Sequence, residues 1–600
     1  MCGIAGIVLK QPDADLERKF ERLAFEHLAR RGPDATGART IDFEDAGKAH
    51  LFHTRLSIID IDGGAQPMSD ARGTLVFNGE IYNFHDLRDP DFNYRTRSDT
   101  EVLLHGLSRE GLDFLSRTDG MFAFGYVDEL RRKLIVARDA FGIKSAYVCR
   151  SGSTIAFASN LPPLMALSRK NVDPQALMEY YMSRAARGSH TIFDDIVEVP
   201  PGCAYEYDIA TGEGAIVRWA PERNTIRRNA SEAELTDELE TILDRAVQRH
   251  LISDVPVAVL LSGGVDSSLL TALAARHAPQ LSAFTIGFTD EKYDESPYAA
   301  AVARRYGLRH SVQYCEDGDF TNLLQDWPLV LDDAVANPSS VLLYAVSKFA
   351  RDAGHKVLLT GEGADEFFGG YHQQWRYAWT RRINPLGRLF GFATDLLQAA
   401  APHKTRLIHN AHMATKPGGF HGTSTIVEPW LAGSIFAHAP ARGNGASSLK
   451  DALFHDQDYR LPDDMLTAAD RATMHASVEA RVPFVSREVA EFAASLDERH
   501  LIRGLKQKVL LKRVARRHVP AMCLDRRKVG FDLPLSRWFR TTLRTPLLDA
   551  LSSTWQQDYF RDGALDKLIS WHLSGQANFP DKLWAFWMLE HNVRRLKAIG

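Results

Sequence analysis

Residues 260–268 read LLSGGVDSS, and this stretch decides the fold of the second half of the chain. It stands between an apolar run of strand length, residues 256–261, and a run with helical spacing, residues 268–277. The two glycines let the backbone turn closely around an anion, while the serine hydroxyls and the start of the helix supply hydrogen-bond donors. The stretch lacks the Gly-Lys-Ser/Thr ending of a Walker loop. It therefore predicts a phosphate-binding loop of a different type.

Strand-length and helical runs alternate on both sides of this loop. Helical spacing at 235–250 precedes it, and a strand at 281–288, a helix at 298–306 and a strand at 356–359 follow it. Strands that alternate with helices indicate a parallel, doubly wound α/β sheet. From residue 463 onward the pattern is mostly helical, whereas residues 380–450 give no clear pattern.

A second Gly-rich stretch, TGEGADEFFGGY at residues 360–371, also follows a predicted strand. Asp266 in the first stretch and Asp365 in the second are suited to hold Mg²⁺ that bridges phosphates, because this cation prefers oxygen ligands. The two stretches together predict one site for a phosphorylated ligand and its metal.

The first 200 residues follow another pattern, in which short strands are separated by turn residues. Strand-length runs occur at 4–9, 75–77, 121–127, 134–138 and 197–207, with helical spacing at 16–30 and 100–106. This mixture predicts an α+β domain built mainly of antiparallel sheet. Residues 208–231 are polar and are predicted to be a linker. We therefore predict domains at 1–207 and 232–600.

Bulk composition excludes several classes of protein. Six hundred residues exceed what one hydrophobic core supports, and 45% hydrophobic and 25% charged residues are ordinary globular values. A net charge of −4 provides no global attraction to nucleic acid or to an anionic membrane. The five cysteines are scattered, which argues against a zinc site or a disulfide framework. No run reaches the roughly 18–20 apolar residues of a membrane span, so we expect a cytoplasmic protein.

Cys2 directly follows the initiator Met. Removal of Met1 would leave a cysteine with both a thiol and a free α-amine. That amine titrates near pH ~7.7–8.0, so its neutral form can take the proton of the thiol. A buried structural cysteine is the ordinary alternative, and the companion segments decide between the two.

Five companion segments accompany Cys2 in the first half of the chain. They are RRGPD (30–34), HTRLSIID (53–60), FNGEIYN (77–83), SDTE (98–101) and RDAFGIK (138–144). Together with MCGIAGI at the start, they resemble the class II glutamine amidotransferase domain over about residues 1–205. The resemblance implies an N-terminal-nucleophile fold, in which antiparallel sheets are sandwiched with helices.

The resemblance also implies a role for each matching residue. Cys2 is the nucleophile, and Arg55 clamps the α-carboxylate of glutamine with its planar guanidinium. Glu80 and Asp99 hold the ammonium group. Asn78 and the Gly79 amide form the oxyanion hole. One departure follows Lys144, where Ser145-Ala146-Tyr147 replaces the expected Pro-Leu-Tyr.

The second half carries its own resemblance. SGGVDSS resembles the PP-loop of ATP pyrophosphatases, which cleave ATP between its α and β phosphates. The stretch 360–371, DR at 470–471, SVEARVPF at 477–484 and RKVGFDLPLSRWF at 527–539 are similar to the asparagine synthetase family. The ATP and pyrophosphate contacts that this implies are Leu261, Ser262, Gly263, Gly264, Asp266, Ser267, Ser268, Ile286, Thr360, Gly361, Asp365 and Lys528.

Some of these residues receive specific roles. Leu261 and Ile286 flank the adenine, and Lys528 neutralises charge on the phosphates. The resemblance places Mg²⁺ on Asp266 and Asp365, with Glu366 facing the magnesium pyrophosphate. Glu362 is the candidate base that deprotonates incoming ammonium. The basic run at 505–518 is predicted to be a solvated face, with contact between Lys508 and the phosphates as the alternative.

The combined resemblance implies a complete reaction. Ammonia released from glutamine at Cys2 passes through an internal tunnel and attacks an acyl-AMP formed from ATP and a carboxylate. With aspartate as the acceptor, the products are asparagine, AMP and pyrophosphate. Sugar uronic acids and natural-product intermediates are alternative acceptors. A cyclase of the β-lactam synthetase kind is a further alternative, but it does not need the glutaminase residues. The expected partners are small molecules, without nucleic acid or membrane, and a homodimer is left open.

Overall fold

Three sheets organise the part of the chain that the structure describes. A computed structural model describes residues 2–44, 46–223, 230–291, 293–316, 318–319, 323–324, 327, 330–387, 426, 435–436, 448–524 and 533–599. Two antiparallel sheets occupy residues up to 218, here called the front half. One parallel sheet lies in residues 232–599, here called the back half.

The first antiparallel sheet has the strand order β10-β8-β9-β1-β3-β2. Its strands are β1 (Cys2–Leu9), β2 (Ala35–Asp42), β3 (Lys48–Arg55), β8 (Tyr147–Ser151), β9 (Thr154–Ala158) and β10 (Ile196–Glu198). The second has the order β12-β11-β7-β6-β5-β4. Its strands are β4 (Met68–Ser69), β5 (Gly73–Ile81), β6 (Gly120–Asp128), β7 (Lys133–Arg138), β11 (Cys203–Asp208) and β12 (Gly214–Arg218).

The two antiparallel sheets pack face to face around a buried apolar layer. Val8 and Phe157 of the first sheet share one cluster with Val76 and Val136 of the second. Helix Ala14–Leu28 covers the outer face of the first sheet, and helix Asp99–Glu110 covers that of the second. The predicted fold class, antiparallel sheets sandwiched with helices, is confirmed.

The second sheet extends beyond the predicted boundary at residue 207. Strand β12 pairs with β11 although it lies in the predicted linker 208–231. All five residues of β12 are exposed. An exposed edge strand need not show the alternation of apolar and polar residues that reveals a half-buried strand. The division into domains otherwise stays a prediction.

The parallel sheet has the strand order β15-β14-β13-β16-β17. Its strands are β13 (Val257–Leu260), β14 (Ser282–Phe288), β15 (Arg309–Cys315), β16 (Val357–Leu359) and β17 (Glu479–Arg481). Leu260 and Leu358 face one apolar cluster, while Val259 and Leu359 face another, so both faces are covered. This is the predicted doubly wound arrangement. The chain reverses its direction of winding between β13 and β16, where ligands bind in such sheets.

Helices make up most of the remaining structure. Besides those already given, the α-helices are Phe84–Leu87, Leu161–Leu164, Pro174–Ser183, Glu232–His250, Val265–His277, Ser296–Tyr306, Ser339–Asp352, Ala364–Phe368, His372–Gly387, Leu449–His455, Thr467–His475, Arg487–Ser495, Glu498–Leu501, Val509–His518, Ala521–Leu524, Leu535–Trp538, Arg544–Ser552, Ala564–Leu573 and Pro580–Ala598. Gly111–Arg117 and Trp555–Tyr559 are 3₁₀-helices, and Asp456–Leu466 is a π-helix. None of the described helices has the length and apolar character that crossing a bilayer requires.

Candidate active sites

Cys2 lies at the start of β1, an inner strand of the first sheet, and is buried. It pairs with Arg55 at the end of β3. Its backbone nitrogen donates to Oδ1 of Asn78 on β5 at 2.9 Å, which ties the second sheet to the nucleophile. Its carbonyl oxygen accepts from Nε of Arg31 at 3.1 Å. The residue is therefore fixed from three sides.

The side-chain amide of Asn78 has a free donor. Because Oδ1 accepts from Cys2, the Nδ2 group points elsewhere, and it is buried without a hydrogen-bond partner among the described residues. An unpaired buried donor is costly unless a ligand uses it. At Gly79, the next residue, an added Cβ would lie 2.2 Å from the carbonyl oxygen of Met121. Only glycine fits there, and the pair can serve as an oxyanion hole.

The predicted glutamine-binding residues other than Asn78 line one pocket together with Cys2. Cys2, Arg55, Gly79, Glu80 and Asp99 all form its wall. The guanidinium of Arg55 donates to the backbone carbonyls of residues 59–61, with distances from 2.7 to 3.3 Å. These contacts fix the cation at the wall of the pocket.

Two buried carboxyl groups belong to this pocket. Burial raises the pKa of Asp99 to about 6, although backbone N–H groups, including that of Ile81 at 3.0 Å, oppose the shift. Burial also raises the pKa of Glu80 well above its usual range, and the nearby charge of Glu479 adds to this. Both groups fit a cationic ligand, because an ammonium ion would favour their charged forms.

The environment of Cys2 favours the protonated thiol over the thiolate. Burial raises the pKa of the Cys2 thiol, and the positive charge of the chain terminus and a hydrogen bond from the Leu56 amide only partly offset this. The nucleophile therefore needs a base. The α-amine that Met1 removal would expose is bonded to the same Cα atom.

The phosphate loop connects β13 with helix Val265–His277. Ser262 Oγ lies 2.9 Å from Ser267 Oγ, so the loop is tied to the first turn of the helix. Gly263 has a φ of +71°, a left-handed conformation that favours glycine. Ser268 Oγ and Asp266 Oδ1 are buried and have no hydrogen-bond partner in the described part of the chain. These unpaired groups fit a bound phosphate and its cation.

The second Gly-rich loop follows β16, next to the first loop. A Cβ added at Gly361 would lie 3.4 Å from Cβ of Asp266, so the two loops are in close contact. Glu362 lies near both aspartates: burial raises its pKa, and the charges of Asp266 and Asp365 raise it further. Burial likewise raises the pKa of Glu366 to about 7. Glu362 is thus prepared to accept a proton.

Lys508 connects the two loops. Its Nζ lies 2.6 Å from Asp266 Oδ2 and 2.5 Å from Asp365 Oδ1. Burial alone would lower the pKa of Lys508, but the two carboxylates outweigh it and raise the pKa. Lys508 precedes helix Val509–His518 and is buried, whereas Lys506 and Arg516 of the same basic run are exposed. Lys508 is therefore a lysine of this run that turns inward, and its contact with the phosphates stays a prediction.

For three of the predicted ATP contacts, the described part of the structure shows no side chain placed to touch the nucleotide. Leu261 is completely buried in one apolar cluster and Ile286 is buried in another, so neither presents an open side-chain surface. Lys528 lies outside the described residues. The roles of all the predicted site residues stay predictions.

Buried ion pairs connect the two halves between these sites. Arg31, which holds the carbonyl of Cys2, forms two hydrogen bonds with Asp470, at 2.8 and 3.2 Å. Lys144 donates to the same carboxylate at 3.0 Å. Arg481 of β17 lies 3.5 Å from Glu80. The motifs DR and SVEARVPF contain Asp470 and Arg481, but the sequence does not reveal that these residues reach the front half.

Both halves match known families. The asparagine synthase family matches residues 238–594, and a glutamine amidotransferase domain matches residues 1–218. A Mycobacterium tuberculosis protein, provisionally named a glutamine-hydrolysing asparagine synthetase, is 31% identical across 99% of this chain and 97% of its own length. A glutamine-hydrolysing asparagine synthetase of Bacillus subtilis is 28% identical over the same shares. A solved glutamine PRPP amidotransferase from B. subtilis covers 60% of this chain and 81% of that chain at 15% identity, with a TM-score of 0.27 that carries no conclusion.

Proposed function

This chain belongs to the asparagine synthase family, and from that premise we propose that it amidates aspartate to asparagine with nitrogen from glutamine. As a member, it is an ATP-dependent carbon–nitrogen ligase. One observation carries the proposal, the presence of two features in the same chain. The first is a cysteine with an unpaired amide donor beside it, and the second is a phosphate loop with unpaired acceptors and donors. A cytoplasmic location and the homodimer stay predictions.

The front half performs the hydrolysis. The thiol of Cys2 gives its proton to the α-amine and attacks the side-chain amide carbon of glutamine. Asn78 Nδ2 and the Gly79 amide donate to the oxyanion of the tetrahedral intermediate. The C–N bond breaks and ammonia leaves with the transferred proton. Water then hydrolyses the thioester to glutamate and restores the thiol.

The back half activates the acceptor. Its carboxylate oxygen attacks the α-phosphate of ATP, so that an acyl-AMP forms and pyrophosphate leaves. Asp266 and Asp365 would hold Mg²⁺, whose charge would offset that of the leaving phosphates. These two residues fit such a cation because Asp266 Oδ1 is unpaired. No group of three or more potential metal ligands occurs in the described ranges.

Ammonia completes the reaction. Glu362 would take a proton from ammonium, and its raised pKa makes it a stronger base than an exposed glutamate. Neutral ammonia attacks the acyl carbon, the nitrogen of the tetrahedral intermediate loses a proton to water, and AMP leaves as the amide forms. The buried ion pairs of Asp470 and Arg481 lie where the halves meet, and ammonia would have to pass this contact to reach the back half.

The acceptor is the part of the proposal that most needs an experiment. The purified protein should be incubated with ATP, Mg²⁺, glutamine and one acid at a time, and AMP and pyrophosphate release measured. We expect release with aspartate. Release only with uronic acids or another carboxylate would replace aspartate as the acceptor. ADP and phosphate as products would overturn the acyl-AMP step. Residues 380–450 lie mostly outside the described residues.

A Cys2→Ala variant tests the division of labour between the two halves. We expect it to lose glutamine-driven amide formation, because the thiol that attacks the side-chain amide carbon of glutamine is gone. It should keep amide formation from ammonium chloride, because the back half is unchanged. Both nitrogen sources should be assayed under identical conditions, with wild type alongside. Equal loss of both activities would contradict two separate sites.

A further inference from the structure

Arg481 belongs to the back half but reaches the pocket of the front half. It ends β17, the edge strand of the parallel sheet, and is completely buried. Its Nη1 donates to the carbonyl oxygens of His250 at 2.7 Å and Ile252 at 2.6 Å, and its Nε donates to Glu479. These contacts fix the guanidinium. The remaining nitrogen, Nη2, lies 3.5 Å from Oε1 of Glu80.

Unpaired polar atoms surround this contact. Arg481 Nη2 and Glu80 Oε2 are buried, and neither has a hydrogen-bond partner among the described residues. The same is true of the Tyr82 hydroxyl and of His250 Nε2, whose rings lie 3.9 Å apart. Buried polar atoms without partners are costly unless a ligand or water completes them. Since Glu80 also lines the glutamine pocket, this cluster adjoins the place where the substrate would bind.

Charge at Glu80 depends on Arg481. Burial and the charges of Glu479 and Asp99 raise the pKa of Glu80, whereas Arg481 and the positive chain terminus lower it. A carboxyl group attracts an ammonium ion only when it is ionised. Arg481 is the fixed side-chain cation that opposes the two neighbouring carboxylates.

We propose that Arg481 is a positioning residue of the glutamine pocket, which orients Glu80 toward the ammonium group of glutamine and favours its ionised form when that group binds. This inference rests on the proposed function. The same residue also touches the other site, because its carbonyl oxygen accepts from the backbone nitrogen of Thr360 at 2.9 Å. The pocket of the front half is therefore incomplete without the strand that supports the second Gly-rich loop.

The test compares steady-state glutaminase kinetics of full-length variants over a range of pH. Arg481→Met removes the cation, and Arg481→Lys retains it. Arg487→Met is the matched control, because Arg487 also crosses between the halves, to the Ser116 carbonyl, but lies outside the pocket. Ammonia-driven amidation is measured in every variant to report on an intact back half.

We expect Arg481→Met to raise the KM for glutamine about tenfold or more, the scale of losing a contact between charged groups, while kcat changes less. Its KM should improve as pH rises, because Glu80 would then ionise without help. Arg481→Lys should recover part of the affinity. Arg487→Met should match wild type, and ammonia-driven amidation should persist in all variants.

A double-mutant cycle separates this role from general damage. If Arg481 acts through Glu80, Arg481→Met should add little to the KM of a Glu80→Gln variant. An unchanged KM in Arg481→Met would overturn the inference, as would an equal effect in both backgrounds. A wild-type protein without glutaminase activity would instead refute the proposed function.

Discussion

Asp99 is a buried acid that must carry a charge to bind glutamine, and this gives activity a pH signature. With its pKa raised to about 6, Asp99 becomes protonated below that pH, and the pocket loses a negative charge. We expect kcat/KM for glutamine to fall as pH drops through about 6, in addition to the fall caused by protonation of the α-amine.

The measurement for this prediction is the pH profile of glutamine hydrolysis. Its slope should steepen below pH about 6, because two protons then inactivate the free enzyme. Asp99→Asn should reduce kcat/KM at all pH values and remove the steeper part. A single-proton slope throughout the acid range of wild type would contradict the assignment.

Short family motifs predict which residues meet at a site, even when the motifs lie far apart in the sequence. Cys2, Arg55, Glu80 and Asp99 come from four separate segments, and the structure gathers them around one pocket. The composition of a basic run does not predict which of its lysines is buried. Lys508 does so because it precedes the helix with a φ of +52°, which separates it from the exposed cations of the run.

At the scale of elements, the turn after helix Ala364–Phe368 depends on the absence of a side chain at Gly370. A Cβ there would lie 1.7 Å from Asp365 Oδ1 and 2.2 Å from Lys508 Cε. Gly370→Ala should therefore displace the pair that joins the two loops. We expect ATP-dependent amidation to fall by about 10²-fold, the scale of a 1 Å misplacement, while glutamine hydrolysis persists.

The control for Gly370→Ala is Gly318→Ala, because an added Cβ at Gly318 meets nothing within 4 Å. Pyrophosphate release and glutamate release should be followed in the same samples. Amidation by Gly370→Ala at the rate of the control would show that the lysine pair does not need its present position.

Helices and strands were predictable where one face is buried, because apolar residues then recur at a regular spacing in the sequence. Strand β13 and helix Glu232–His250 were predicted within a few residues, because their apolar positions face the core. Strand β12 was missed because its residues are all exposed. The π-helix Asp456–Leu466 was recognised only from residue 463, since its wider turn does not follow the α-helical spacing.

At the scale of the whole molecule, Asp470 holds the two halves together. Burial would raise its pKa, but the charges of Arg31 and Lys144 outweigh it and keep the pKa of Asp470 below its usual range. Asp470→Asn would leave these buried cations without their anion, which costs about 3–5 kcal/mol. We expect a clear fall in thermal stability at neutral pH.

The pH dependence of this effect has a definite sign. A folded-state pKa below the unfolded value of about 3.9 means that the stabilisation is complete above pH about 4 and is lost as pH falls further. The difference in unfolding midpoint between wild type and Asp470→Asn should therefore shrink in acid. Asp15→Asn, at an exposed pair with Arg18, should leave the midpoint unchanged. A constant difference from neutral pH to acid would contradict the role of Asp470.

The sequence predicted two half-molecules with two sites, but it did not predict how they meet. Arg31 and Asp470 stand 439 positions apart along the chain. No local pattern relates residues at that separation, and single charged residues are more often solvated than buried. Only the folded arrangement reveals that these charges neutralise one another.

The pairing of β16 with β17 has a consequence for how the protein is made. Residue 357 lies beside residue 479 in the sheet, so the parallel sheet stays open until the ribosome has passed residue 481. The antiparallel sheets are complete once residue 218 has emerged. At about 5–20 residues per second, a nascent chain spends on the order of tens of seconds with all strands of its front half made and its back half still exposing an unpaired apolar strand. Translation of this stretch is the period in which a chaperone would be needed. A chain truncated there would carry Cys2 without Arg481, and on the proposal above it would bind glutamine more weakly than the finished protein.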